Sequence, residues 1–234
     1  MKEHKLALIL IIIIIIIGIG GCFMYQLFND DISSVFNSFN SKKGQIDFVT
    51  SKGFKGYVKD GVTYIDGVLV VNKTYSLPET YGDGITDEVN AAFNDMKAAA
   101  LTEGLNLNIC SGFRSYETQS GLYNSYVNRD GKEAAETYSA RPGYSEHQSG
   151  LAMDINMASD AFNSTPEAKW LSDNAYKYGF ILRYPNGKSD ETGYKYESWH
   201  YRYVGVDLAS KLYNDGDWIT LEDYFGIKSE YKNQ

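Results

Sequence analysis

The sequence predicts an α+β fold, one small domain of mixed strands and helices around a core. Three observations carry this expectation. Once an apolar N-terminal tail is set aside, about 200 residues remain, enough for one sizeable core and too few for a second full domain. Asp60-Gly61 and Asp66-Gly67 punctuate short alternating segments as hairpin turns do. Beyond them, helix-length stretches with their own caps are interleaved with further strand-length ones.

The chain opens with Lys2 and Lys5, then an uncharged apolar run from Leu6 to about Tyr25 that includes seven consecutive isoleucines. A run of about 20 residues can span a bilayer as a helix. It reads as a signal anchor with the bulk of the protein outside the cytoplasm. A rival reading takes Ile19-Gly20-Gly21-Cys22 as a lipobox-like site, with Cys22 lipidated and the upstream segment removed. Either tethers the domain to a membrane. From Asn29 to about Gly44 the composition turns to Ser, Asn, Asp and Lys, a polar spacer. The predicted organisation is an anchor or lipoprotein signal over 1–28, a spacer over 29–44 and one folded domain over 45–234.

Within the domain, Gly56 to Val58 and Val62 to Val71 read as hairpin strands. Thr86 caps a helix running to about Glu103, with Val89, Phe93, Met96 and Ala100 along one face and Gly104 as its stop. Leu105 to Cys110 alternates as a strand, and Ser111 to Ser115 turns into a second helix reaching about Asn128. Cys110 has no partner in the domain for a disulfide and is expected to pack as a small apolar residue. Tyr138 to Tyr144 is a loop, and Leu151 to Met157 a strand. Thr165-Pro166 opens a helix with a cap and a first-turn proline, whose Trp170, Leu171, Ala175 and Tyr178 read as core packing before Gly179 ends it. Phe180 to Tyr184 and Trp199 to Val204 are further strands.

Charge narrows the function. Lys and Arg number 22 against 30 Asp and Glu, a net charge of -8, which argues against the clustered basic charge of a nucleic-acid footprint. The 20 tyrosines suit polar ligands such as peptides or sugars without identifying either.

The chemistry concentrates in two short clusters. Tyr144 to Asp154 places His147 and Asp154 in a Gly- and Ser-rich segment, and Tyr196 to His200 places Glu197 beside His200. A catalytic zinc takes three protein ligands and leaves one position open. His147, Asp154 and His200 fill those three places, leaving Glu197 as the base that takes a proton from water and passes it to a leaving amine. Glu197 and His200 are three apart, on opposite faces of a regular strand. The backbone is therefore expected to bend at Ser198, or Glu197 to belong to the loop before the strand. Arg114, at a strand-to-helix junction, points into a cleft where it can share an oxyanion, or else forms an ion pair. Gln119, one turn further, can face the same cleft. A structural zinc site is disfavoured, because such sites usually close with four ligands and favour Cys.

Ser145-x-His147-x-x-Gly150-x-Ala152-x-Asp154, followed by Glu197-x-Trp199-His200, resembles the zinc signature of the VanY-type carboxypeptidases, the D,D- and L,D-peptidases that trim peptidoglycan stem peptides. Supporting similarity lies in Val70 to Lys73 with Leu77-Pro78, Ser111 to Ser115, and Gly179-Phe180 through Tyr184-Pro185. It covers roughly Asp66 to Gly205, leaving out the segment from about Trp218. The resemblance implies a central antiparallel sheet with a zinc cleft across it. It implies His147, Asp154 and His200 as zinc ligands, Glu197 as catalytic base, Arg114 on the substrate carbonyl or its oxyanion, and Gln119, Ser145 and Trp199 as substrate contacts. Phe113 stands where the family often has Tyr, which removes one hydroxyl.

The expected protein is thus a zinc-dependent D,D-carboxypeptidase that removes the terminal D-alanine from peptidoglycan stem pentapeptides. It works as a monomer on the outer face of a bacterial cell membrane, with no nucleic-acid partner. The alternatives are an L,D-carboxypeptidase acting on the tetrapeptide and a non-catalytic peptidoglycan-binding module.

Overall fold

The computed structural model describes residues 46–232. The expected anchor, the Cys22 site and the polar spacer lie outside the described residues. No helix among the described residues is long and apolar enough to cross a membrane.

Two antiparallel sheets of four strands each organise the described residues, where the resemblance implied one central sheet. The first runs in sequence order through β1 (Phe48–Val49), β2 (Lys55–Lys59), β3 (Val62–Ile65) and β4 (Val68–Leu69). Its two Asp-Gly turns have positive φ at both residues, 51° and 78° at Asp60 and Gly61 and 50° and 81° at Asp66 and Gly67. That is the geometry whose twist matches a tight hairpin, and it explains why Asp-Gly is used twice.

Between the sheets comes α1 (Asp87–Thr102), capped as expected: Thr86 Oγ1 accepts from the Val89 amide, and Val89, Phe93, Met96 and Ala100 are the buried face. The second sheet contains β5 (Ile109–Ser111), β6 (Ala152–Ile155), β7 (Phe180–Leu182) and β8 (His200–Tyr203), in the order β5-β6-β8-β7. Helix α2 (Tyr116–Asp130) follows β5 and is capped by Ser115. A short α3 (Lys132–Ala135) follows it. Helix α4 (Pro166–Asn174) has the expected Thr165 cap and first-turn proline. Helices α5 (Ser189–Thr192), α6 (Val206–Tyr213) and α7 (Leu221–Phe225) complete the fold.

The strands of the second sheet are shorter than their alternation predicts, for local reasons. Left-handed backbone at Gly150 (φ 71°) and Asn156 (φ 59°) cuts β6 at both ends. Leu105 to Asn108 is not strand because Asn156 replaces the ladder there: its side chain accepts from the Asn108 amide and donates to the Asn106 carbonyl, both at 2.8 Å. Cys110 is exposed rather than packed, since its strand lies at the sheet edge. A shared core runs from Ile65 in the first sheet through Phe93, Met153 and Phe180 to Phe225 of α7. Burying each such side chain contributes about 1.5–3 kcal/mol. The segment beyond Trp218, outside the sequence resemblance, therefore belongs to the core.

Candidate active site

The register of the two central strands builds the site. Asp154 in β6 and His200 at the start of β8 are direct cross-strand partners, so their side chains stand on the same face. His147 arrives from a 3-10 turn over Glu146–Ser149, and Gly150 reverses the chain into β6. Gly150 packs so tightly on the Gly84 carbonyl oxygen that a side chain there would overlap it. One ligand atom from each of His147, Asp154 and His200 lies within 4.8 Å of the others. His147 Nε2 is 3.3 Å from Asp154 Oδ2, and His200 Nδ1 is 3.0 Å from Asp154 Oδ1.

Hydrogen bonding selects which ring nitrogen faces the cluster. The Gly112 carbonyl can only accept, so His147 Nδ1 donates to it at 2.7 Å and Nε2 keeps its lone pair. On His200, Nε2 points at Glu146 Oε2, 3.3 Å away, and Nδ1 turns to Asp154. Burial lowers the His147 pKa. Burial works against a charge on Asp154, but the two imidazoles facing its oxygens hold the carboxyl well below the usual range. Two imidazoles and one carboxylate, with ligand atoms converging from a strand pair and a turn, fit a catalytic zinc ion.

Glu197 lies in the loop before β8, the backbone turns through Ser198 and Trp199, and the Glu197 amide donates to the Tyr184 carbonyl at 3.1 Å. This is the arrangement that the three-residue spacing required, and it leaves Glu197 Oε2 4.0 Å from His200 Nδ1. Burial pushes the Glu197 carboxyl up to about 8, against the pull of His200. Arg114 Nη2 is 3.9 Å from Asp154 Oδ2. Its guanidinium donates to Gln119 Oε1 at 2.9 Å and Ser111 Oγ at 2.8 Å. Gln119 in turn donates to the Ala140 carbonyl at 2.7 Å, so it braces Arg114 against the loop after α3.

A cavity of about 340 Å³ opens over this cluster, and Arg114, Gln119, Ser145, His147, Asp154, Glu197, Trp199 and His200 all line it. Every site residue expected from the sequence therefore meets in one place. Sequence reasoning missed Tyr184, whose ring centroid lies 4.9 Å from that of His200. It also missed Tyr194, Tyr126 and Tyr138, which line the same cavity, and Glu146, buried in its floor. The tyrosines are scattered among 20 with no spacing to mark them. Glu146 had a signal, an acid adjoining His147, that its non-ligand position hid.

The sequence profile of the VanY family, D-alanyl-D-alanine carboxypeptidase, matches residues 83–206. The Bacillus subtilis (strain 168) protein YodJ is 43% identical over 181 residues, 67% of this chain and 66% of its own length. The chain thus spans just under two thirds of that relative. Among solved structures, the LdcB LD-carboxypeptidase superposes with a TM-score of 0.68 at 42% identity, over 77% of this chain and 99% of that one. A vancomycin-resistance D,D-pentapeptidase VanY from a VanB-type cassette, solved with Zn(II), gives 0.57 at 36% identity, over 66% of this chain and 96% of that one. With the profile matching more than half of the chain, and His147, Asp154, His200, Glu197 and Arg114 meeting in one cavity, this chain belongs to the VanY family.

Proposed function

We propose that the protein is a zinc-dependent carboxypeptidase that removes a C-terminal D-alanine from peptidoglycan stem peptides. The observation that carries this reading is the convergence of three ligand atoms within 4.8 Å, with the Glu197 carboxylate 4.0 Å from one of them, in a single cavity. When bound, zinc supplies Lewis-acid polarisation and lowers the pKa of water toward neutrality. His147, Asp154 and His200 hold it, and their one negative charge leaves the site net positive beside a substrate carbonyl. Glu197 takes the proton of the attacking water and delivers it to the leaving amine. Its burial supports the first half of that role, because a carboxylate with a raised pKa is a stronger base and takes a proton more readily. Arg114, held by Gln119 and Ser111, faces the oxygen on which negative charge develops. Ser145 and Trp199 line the walls against which the peptide lies.

The first reading is D,D, with the cut falling between the two D-alanines of the pentapeptide. An L,D reading, with the cut after the L-centred diamino acid of the tetrapeptide, is favoured by the extent of likeness to LdcB, 77% of this chain against 66% for the D,D-pentapeptidase. Both use the same residues, and the difference lies in the loops over the cavity. The apolar segment at 6–25 supports a membrane tether that presents the domain to the wall. All the residues invoked come from one chain, so the site needs no residue from a partner.

Mass spectrometry of pentapeptide and tetrapeptide offered together to the zinc-loaded protein tests this. Loss of one alanine from the pentapeptide alone is the D,D outcome, and loss from the tetrapeptide alone the L,D outcome. Glu197→Gln is expected to slow either by roughly 10²- to 10⁴-fold. No release from either, in folded and zinc-loaded protein, overturns the enzymatic reading in favour of a binding module.

A further inference from the structure

In the cavity floor and behind it lie four buried charges that the proposed chemistry does not use: Glu146, which lines the cavity, then Arg183, Arg202 and Glu222, none more than 2% exposed. Glu146 Oε1 accepts from Arg183 Nε at 2.8 Å and Arg202 Nη1 at 2.9 Å. Arg183 also grips both oxygens of Glu222, at 2.7 and 2.8 Å, and Glu222 Oε1 accepts from Asn72 Nδ2 at 2.9 Å. Arg202 donates to the Leu69 carbonyl at 2.6 Å. Buried ion pairs are weak evidence for stability, since apolar packing of the same volume often does as well or better. The cluster has a different asymmetry: among the four, only the Glu146 side chain reaches the side chain of a ligand residue, with Oε2 3.3 Å from His200 Nε2.

We propose that Glu146 is the positioning residue of His200, an inference that rests on the zinc reading of the site. An ionised carboxylate only accepts, so with zinc on Nδ1, which lies 3.0 Å from Asp154 Oδ1 inside the ligand cluster, the remaining His200 proton would sit on Nε2 facing Glu146. A carboxylate behind a ligating imidazole fixes its ring and raises its basicity. The guanidiniums of Arg183 and Arg202 both donate to Oε1, at 2.8 and 2.9 Å, an arrangement that suits an ionised carboxylate. The arginines thus occupy Oε1 and leave Oε2 for the histidine. Arg202 reaches Leu69 in β4 and Arg183 reaches Glu222 in α7, which ties the buried cluster to the first sheet and to the C-terminal helix.

The test is zinc affinity of the full chain by chelator competition, with folding of each variant verified by thermal melting. Glu146→Gln, which keeps the shape and loses the charge, is expected to weaken zinc binding roughly 10- to 100-fold. Glu222→Gln removes a charge from the same network but touches no ligand. It is expected to lower the melting temperature and leave zinc affinity within about 2-fold of wild type, below the range expected of a lost partner behind a ligand. If Glu146→Gln does not fold, Glu146→Asp, which keeps the charge and withdraws the carboxylate, is expected to weaken affinity in the same direction. Wild-type affinity in the folded Glu146 variant, or equal weakening in the Glu222 variant, overturns the assignment while leaving the zinc reading intact. A wild-type chain that binds no zinc, or a His200→Ala variant that binds it as well as wild type, overturns both.

Discussion

Arg114 illustrates how single side chains are prepared for work here. Its guanidinium is half-buried and has five donors in a fixed fork; Gln119 and Ser111 take two of them and aim the remainder into the cavity. Arg114→Lys replaces that fork with a point charge, and kcat is expected to fall by roughly 10²- to 10³-fold, the loss typical of an oxyanion donor. Gln119→Leu keeps Arg114 and removes its brace, so a smaller loss in the same direction is expected. Steady-state kinetics on the preferred stem peptide checks both, and a Gln119 variant with wild-type kcat removes the bracing role. The Arg114 environment was only half legible in the sequence. Its position at a strand-to-helix junction follows from Ser111 to Ser115, but which side chain would brace it depends on the loop at Ala140, which no local pattern positions.

At the level of elements, the site depends on how β6 is entered and paired. Because side chains alternate along a strand, a one-residue slip of β6 against β8 would carry Asp154 to the far face and dismantle the ligand set. The left-handed turn at Gly150 guards that register, and its backbone lies against the carbonyl of Gly84. Gly150→Ala is therefore expected to destabilise the protein by about 2 kcal/mol or more, the sum of a left-handed alanine and a steric overlap. Urea unfolding of the apo protein measures it, and a midpoint equal to wild type would show that the turn tolerates a side chain. The helices capped by Thr86 and Thr165 were readable because each cap announces a start by chemistry within one turn, whereas Ser115 read only as the end of a turn. Strand ends were less so. Asn156, which terminates β6 and supplants the ladder at Asn106 and Asn108, acts through partners about fifty positions away in sequence.

For the whole molecule, the C-terminal segment closes the cleft from behind. Asn72 Nδ2 donates to the Lys228 carbonyl, Thr74 Oγ1 to that of Glu230, and Ser229 Oγ to that of Thr192. Tyr231 then stacks under the Arg141 guanidinium at 3.8 Å, accepts from its amide at 2.9 Å, and packs edge-on to Tyr144. These contacts tie together the loops that carry Ser139, Ala140, Ser145 and Tyr194 into the cavity wall. Tyr231→Ala is expected to cost about 1–2 kcal/mol through the lost cation–π and aromatic contacts. It is also expected to raise KM several-fold with kcat little changed, because the variant loosens walls rather than the reacting groups. An unchanged KM would show the segment to be structural only. The sequence by itself determined which residues could form a metal cluster with an acid beside it, the Thr86 and Thr165 caps and the hairpin turns, since each rests on residue chemistry and short spacing. Only the tertiary structure decided that Asp154 and His200 are cross-strand partners, that Glu146 stands behind His200, and that the last segment buttresses the cleft. Those are contacts between positions far apart in the chain, and their energy exists only once two sheets and a core have brought them together.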